Sequence, residues 1–461
     1  MNLYIFHRDL RLIDNTTLIE ISDDQVIPIF IFNPNQIDKK KNKYFSNNSV
    51  QFMIESLNEL NKDIKKYNGE LSFFYGDDIK ILKEIIKKYP IKKIGFNYDY
   101  TPFAKMRDNK IIEFCKLNNI QVVIKEDYPL FDILNNQTLK KDNTPYKVYT
   151  PFKNHLLTLP IRKVNSFKKF NFHKKINNKY SINDLSIFYQ NNNNINSHGG
   201  SSLALKILKQ IDNFKDYNSK RDFLTYQTTF LGPHLHFNTV SIRLVYQFFL
   251  EKLTKKNNLI NQLIWRDFYL NITHFFPHVL NGQINKYNKS FKSDYDKIKW
   301  ITNKDLFDKW KNGLTGITIV DAGMRQLKET GFQHNRCRMI CASFLVKNLN
   351  IDWREGERYY ATQLVDYDPS NNSGGWQWTS GGGTDAQPYF RIFNPWTQAK
   401  KFDKECIYIK QWIPELIDVP NKDILNWDKK HLNYNLYTKP IINTTLSSKN
   451  TIILYKKYLS N

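Results

Sequence analysis

The densest concentration of chemically capable side chains lies between residues 315 and 403. There the run TGITIVDAGMRQLKETGFQHNRCRMICASFL reads as two helices broken at Thr330-Gly331. On the second, Asn335, Arg338 and Met339 stand at i, i+3 and i+4 and so share one face. An amide, a guanidinium and a thioether together are odd for a pure core. Downstream, Asp366, Asp368, Asn371 and Asn372 precede Gly374-Gly375, where the backbone can approach a bound molecule closely. Trp376 and Trp378 follow. On a helix they point roughly 200° apart, at about 100° per residue, so one faces inward while the other reaches a surface ligand. Indoles ordinarily fill cores, but the adjoining carboxylates and amides point to a polar cofactor pocket. Cys337 and Cys341 are four apart on a helix; with no second pair of ligands they read as core thiols, and no metal site is expected.

Composition narrows the setting. The chain has 461 residues, with 68 Lys+Arg against 44 Asp+Glu, a formal net charge of +24. Such a balance suits a polyanion, most often nucleic acid. A bland reading competes: an excess of Asn, Lys and Ile is what AT-rich coding gives, and solvated lysines need bind nothing. All nine Trp lie at or beyond Trp265, so the C-terminal half is where large indoles are needed. A content of 41% hydrophobic and 15% aromatic residues excludes a disordered chain. No apolar run approaches the ~20 residues of a spanning helix, and Met1 leads straight into a strand-like LYIF without the regions of a secretory signal. Four Cys form no disulfide framework in a chain this long. The expectation is a soluble intracellular protein, cytoplasmic or nucleoid-associated (nuclear in a eukaryotic host). It is expected to be a monomer with no membrane and no obligate protein partner.

These residues need a frame, and the hydrophobic pattern supplies one. Within residues 1–130, short apolar runs at Leu3–Phe6, Val26–Phe32, Leu71–Tyr75, Ile94–Phe96 and Val122–Ile124 alternate with amphipathic helical stretches. That alternation predicts an α/β domain with a doubly wound parallel sheet. No G-x-G-x-x-G or Walker-type loop accompanies it. Residues 131–200 are polar and punctuated, a long interdomain connector with a flexible Asn-rich tip. Residues 201–450 read as an all-α domain, with helices near 240–254, 258–275, 318–330, 335–348 and 355–364.

Six motifs then resemble, in order, those of the DNA photolyase/cryptochrome family: LIWRDFY, TGITIVDAGMRQL, HNRCRM, IDWREGERYY, GGWQW and YFRIFNP. FHRDLRLIDNTTL is similar to its opening strand and helix, with His7 where Arg is usual, and NTPYKVYTPFKNHL to its interdomain segment. The closest likeness is to class I cyclobutane pyrimidine dimer photolyases. It implies FAD in the helical domain, an antenna lobe at the N-terminus and DNA containing pyrimidine dimers as partner. The implied reaction is electron transfer from light-excited reduced FAD to a dimer flipped out of the duplex, because a stacked lesion cannot reach a buried cofactor.

Carried over residue by residue, the resemblance implies that Tyr217, Thr228, Thr229, Leu231 and Gly232 meet the FAD ribose and phosphates, with Arg266 nearby. It implies an Arg338–Asp366 ion pair beside the flavin ring, Asp368 at its polar edge and Asn372 near its reactive nitrogen. Trp376, Trp353 and Trp300 match an electron relay from flavin to solvent. Gln262, Asn335 and Met339 match lesion contacts, Trp265 and Trp378 the walls around the lesion, and Arg221, Arg336 and Gln398 contacts to DNA. Three departures stand out. Gln262 replaces the usual Glu and offers no carboxylate. Gly232 replaces the usual Ser. Phe103 and Ala104 stand where folate-binding relatives carry Asn and Glu, leaving a second chromophore open between methenyltetrahydrofolate and a deazaflavin. The (6-4) photolyases carry His at both the Asn335 and Met339 positions, so (6-4) repair is not expected. Two other classes compete: a cryptochrome-type FAD photoreceptor with weak or no repair, and a DNA-binding protein whose cofactor site has decayed.

Overall fold

Apolar runs too short for helices and flanked by turn residues form one sheet in a computed structural model of the chain, which describes residues 1–167, 169–283 and 288–459. Its strands are β1 (Asn2–Phe6), β2 (Val26–Phe32), β3 (Ser72–Tyr75), β4 (Lys93–Asn97) and β5 (Gln121–Lys125). All pairings are parallel, in the order β3-β2-β1-β4-β5. Every residue of β1 and β2 is buried, as expected of strands covered by helices on both faces. The covering helices include Asn47–Lys65, Asp78–Lys88 and Pro102–Leu117, whose N-termini are capped by the side chains of Ser46, Asp77 and Thr101. Strand order reverses between β1 and β4, which places a crevice beyond their carboxyl ends at Phe6 and Asn97.

The second half is helical. Its principal helices are Ile242–Lys252, Asn258–Phe275, Thr318–Thr330, Asn335–Ser343, Trp353–Gln363, Pro369–Ser380, Pro395–Phe402 and Thr444–Leu459. A π turn over Phe344–Asn348 prolongs the fourth. Trp310, Trp353, Trp376, Trp396 and Trp427 are buried in one core cluster. The crowding of indoles into this half is thus partly a matter of filling its core. Among the described residues no helix is long and apolar enough to cross a membrane.

Among the contacts that join the halves are a buried ion-pair cluster and the connector. Arg11 pairs with Asp127 at 2.6 Å, and Arg243 reaches Asp14 at 2.7 Å and Asp127 at 2.8 Å, all four side chains buried. Burial would raise the Asp127 carboxyl, but the two guanidinium charges outweigh it and hold the group well below the ordinary carboxylate range. The connector places its helix Tyr149–Leu156 against Asn258–Phe275. Its Asn-rich tip, which composition marks as flexible, is instead tied on both sides: Asn192 donates to Asn48 at 2.9 Å and to the Glu329 carbonyl at 3.0 Å, and the Asn196 amide donates to Thr330 at 2.9 Å. A primary amide both donates and accepts, so a polar loop can be well anchored.

Asparagine has further local uses. Asn15, Asn33, Asn257, Asn303 and Asn394 cap helices with their side-chain oxygens. Asn68, Asn119, Asn136, Asn143, Asn238 and Asn350 take positive φ.

Candidate functional site

Helix Pro369–Ser380 organises the site. Asp368 caps it, one carboxylate oxygen accepting from the Asn371 amide and side chain, each at 2.9 Å. One turn on, Asn372 donates through Nδ2 to Glu357 Oε1 at 3.1 Å and to the Glu357 carbonyl at 3.0 Å. With its donor group so engaged, the amide oxygen of Asn372 is free to face the site. Trp376 is 4% exposed, its ring 5.0 Å from Tyr360 edge-on, whereas Trp378 two residues later is half-buried. The opposed directions expected of this pair hold. The two glycines divide their work. A Cβ on Gly374 would come within 2.2 Å of the Tyr269 ring, so that close approach is to a neighbouring helix and not to a ligand. A Cβ on Gly375 would meet nothing within 4 Å, so the helix borders open space there.

A second wall comes from the chain around Gly232. Phe230 adopts φ +52°, a costly conformation for an aromatic residue. It turns the backbone so that Leu231 is buried and Gly232 starts a short helix. A Cβ on Gly232 would stand 2.8 Å from Asp366, so the Ser usual in relatives would crowd that carboxylate. Asp366 accepts from Arg338 Nη2 through both oxygens at 3.1 Å, the pair expected from sequence. Thr229 Oγ1 lies 3.4 Å from the Leu231 amide, a long local contact. Thr228 is half-buried and Tyr217 is buried. Arg266 is brought less directly to this wall: its guanidinium donates to the Tyr128 carbonyl at 2.5 Å and the Leu235 carbonyl at 3.1 Å.

Gln262, Trp265 and Arg266 lie at i, i+3 and i+4 on helix Asn258–Phe275. Gln262 is exposed, and Trp265 is stacked on Tyr149 with ring centroids 3.5 Å apart and planes 6° from parallel. Tyr149 thus seals one face of the indole. Asn335 is exposed and donates to Met339 Sδ at 3.8 Å. Arg336 does not stand free: it pairs with Asp222 at 2.8 Å and lies over the Phe402 ring at 4.6 Å. Arg221 and Gln398 are half-buried. Trp353 shares the core cluster of Trp376, and Trp300, half-buried, packs against it. Trp376 and Trp353 are both buried, at 4% and 0% exposure, and of the three only Trp300 reaches the surface in part.

The N-terminal segment 2–167 matches the family model described as DNA photolyase, and 259–457 matches the FAD binding domain of DNA photolyase. A deoxyribodipyrimidine photo-lyase of Buchnera aphidicola is 34% identical, with 99% of this chain and 97% of that protein covered. The chain belongs to the DNA photolyase family. Among solved structures, an archaeal photolyase from Sulfolobus tokodaii with two FAD molecules is 36% identical, with TM-score 0.87 over 99% of this chain and 100% of the other. A Synechocystis cryptochrome superposes with TM-score 0.88 over 98% and 99% at 24% identity, a likeness of fold. This member of the photolyase family is an enzyme, a carbon–carbon lyase acting on DNA, and FAD is its cofactor.

The residues present suit that cofactor. The open side of Gly375, the oriented Asn372 oxygen, the partly exposed Arg338–Asp366 pair and the cradle at Gly232 offer donors, acceptors and space of the right kinds. Glu357 and Tyr149 are side chains that residue-type reasoning missed. Both lie inside motifs already noted, IDWREGERYY and KVYTPF, but their roles come from contacts distant in sequence.

The crevice at the sheet's carboxyl edge holds a cavity of about 630 Å³. Its lining includes Tyr44, Phe103, Arg107, His7, Lys41 and Lys43. Arg107 lies 2.9 Å from the His7 ring, and burial first, then the Arg107 charge, push that imidazole well down.

Proposed function

We propose that this chain repairs cyclobutane pyrimidine dimers in DNA under blue light. One observation carries the reading: helix Pro369–Ser380 sends Trp376 into the core, Trp378 towards the surface and Asn372 into a fixed orientation, with open space over Gly375. When bound, FAD supplies the light-excited electron donor. The remaining tasks fall to the chain. Tyr217, Thr228, Thr229, Leu231, Gly232 and Arg266 hold the phosphate and ribose end, and Arg338, Asp366, Asp368 and Asn372 hold the ring end. Trp376, Trp353 and Trp300 would pass electrons inward from an external reductant at the surface, returning bound FAD to its reduced state. Trp265, backed by Tyr149, and Trp378 form the plates between which a flipped dimer lies; Gln262, Asn335 and Met339 touch it. Arg221, Arg336 and Gln398 grip the DNA backbone, which fixes position without reading sequence.

The N-terminal cavity is the place for a second, light-harvesting chromophore. Aromatic rings at Tyr44 and Phe103, with Lys41 and Lys43 also in the lining, suit a planar molecule with an anionic tail. Phe103 argues against methenyltetrahydrofolate, and the Sulfolobus relative's second FAD supports a flavin-type occupant over a deazaflavin.

The test is light-dependent repair by the reduced protein of two oligonucleotides, one carrying a cyclobutane dimer and one a (6-4) product. Loss of the dimer alone is expected. No dimer loss would favour the second reading, a cryptochrome-type photoreceptor, for which Gln262 is the specific argument.

A further inference from the structure

The proposed FAD site and the N-terminal cavity share a buried charged boundary. Arg8, in the turn after β1, sits with Nε 2.8 Å from Asp99 at the end of β4 and Nη1 3.1 Å from Asp368. Its guanidinium lies over the Tyr128 ring at 4.4 Å. Asp368 uses its other oxygen to cap the helix that carries Asn372, Trp376 and Trp378. One carboxylate therefore links the edge of the sheet to the start of the most important helix of the site. The same oxygen that takes Arg8 faces His236 Nδ1 at 3.6 Å, a long contact, and that buried nitrogen makes no shorter hydrogen bond.

We propose that Arg8 is a positioning residue for the FAD site, acting through Asp368, with His236 held in reserve as a second counter-ion. The inference rests on the reading of Asp368 and Asn372 as FAD-site residues.

The charges around the pair favour this arrangement. Burial would raise Asp368, but His236, Arg8 and Arg266 hold it far below the ordinary range, so it stays ionised. Burial and the Arg8 charge push His236 down, against the pull of Asp368 and Asp99. Without Arg8, an ionised Asp368 facing a buried imidazole draws a proton onto His236. A buried pair that served only to fix the fold would lose stability on truncation at every pH alike. A reserve counter-ion gives a different signature, because the replacement charge is present at low pH and lost as pH rises.

The experiment measures FAD dissociation constants by flavin fluorescence at about pH 6 and pH 8. The native profile is the reference, because Glu357 beside Asn372 titrates at about 7 in every variant. Relative to the native chain, Arg8→Met should bind FAD nearly as well at the lower pH and about tenfold more weakly at the higher. Arg8→Lys should restore the native profile, and Arg8→Met combined with His236→Gln should be weak at both. A ratio of Arg8→Met to native affinity that is the same at both pH values overturns the proposal. Should Arg8→Met not fold, histidine nitrogen NMR of the native chain decides: His236 must be neutral across this range, and a protonated ring overturns the inference. Failure of the native chain to bind FAD at all would instead refute the assignment of the site.

Discussion

At Asn372 a neighbouring carboxyl decides which end of the amide is left for the proposed ligand. Glu357 is 1% exposed, and its carboxyl is pushed up from 4.5 to about 7 by burial, against the pull of the Asn372 hydrogen bond and the Arg358 charge. The folded protein keeps a proton there that the unfolded chain has already released, so stability falls as pH rises from about 4.5 through about 7. That loss is on the order of 3 kcal/mol at most. Glu357→Gln keeps an acceptor for Asn372 and should flatten urea-midpoint measurements across this window; an unchanged slope would show that Glu357 is not the source. Gln262 is the opposite kind of residue, exposed and open to a partner from outside. Because hydrogen bonds to an ionised acceptor are roughly twice as strong as neutral ones, Gln262→Glu is expected to raise the dimer-splitting yield per absorbed photon. These residues differed in legibility. Gln262 was visible beside LIWRDFY, whereas Glu357 gained a meaning only when folding put it against Asn372.

At the scale of the element, helix Pro369–Ser380 contains adjacent glycines with opposite tolerances. Gly375→Ala adds a methyl to open space and removes a poor helix former, so the apoprotein should gain up to about 1 kcal/mol. The same methyl enters the proposed cofactor space, so FAD retention should fall. Gly374→Ala drives into Tyr269 and should cost about 1–3 kcal/mol with or without FAD. Thermal melts of apo and loaded forms separate the two effects. Trp376→Phe keeps an aromatic ring against Tyr360 but raises the oxidation barrier of the first relay position. Photoreduction should slow markedly while repair by chemically reduced protein is spared, as transient absorption and a repair assay would show. Element existence was readable from periodicity, since all five strands and the helices Asn258–Phe275, Thr318–Thr330, Asn335–Ser343 and Trp353–Gln363 lie within a few residues of where the apolar spacing put them, whereas Pro369–Ser380, rich in Gly, Ser and Asn, had no such pattern to bound it. Two local matters were not: Gly374 serves helix packing, and the Asn-rich tip is pinned by partners on both halves that no local pattern reveals.

For the whole molecule, the net charge of +24 becomes useful only where cations are free to meet phosphate. Arg336 is held by Asp222 in this structure, so the proposed contact with a DNA phosphate would exchange one anion for another. Arg336→Ala should reduce the slope of log affinity against log salt by about 1. Asp222→Asn should release the guanidinium and raise affinity for damaged and undamaged DNA alike, within the ~1 kcal/mol that a surface pair contributes. Fluorescence anisotropy across a salt series tests both; an effect confined to damaged DNA would mean that Arg336 reads the lesion. The fold class was legible in the chain as a whole, and the parallel sheet and helical half are as expected. What remained hidden was the seam between them, where Arg8, Arg11, Arg243 and their carboxylates come from segments more than a hundred residues apart.

The asparagines at helix starts and at positive φ give the compositional drift of this chain a physical outlet. A genome that favours AAT and AAC codons loads its proteins with a residue poor in helices and strands. Here asparagines at helix starts and at positive φ occupy positions where the residue performs nearly as well as glycine, serine or aspartate. These asparagines thus stand at the joints of the architecture, where helices begin and the chain turns.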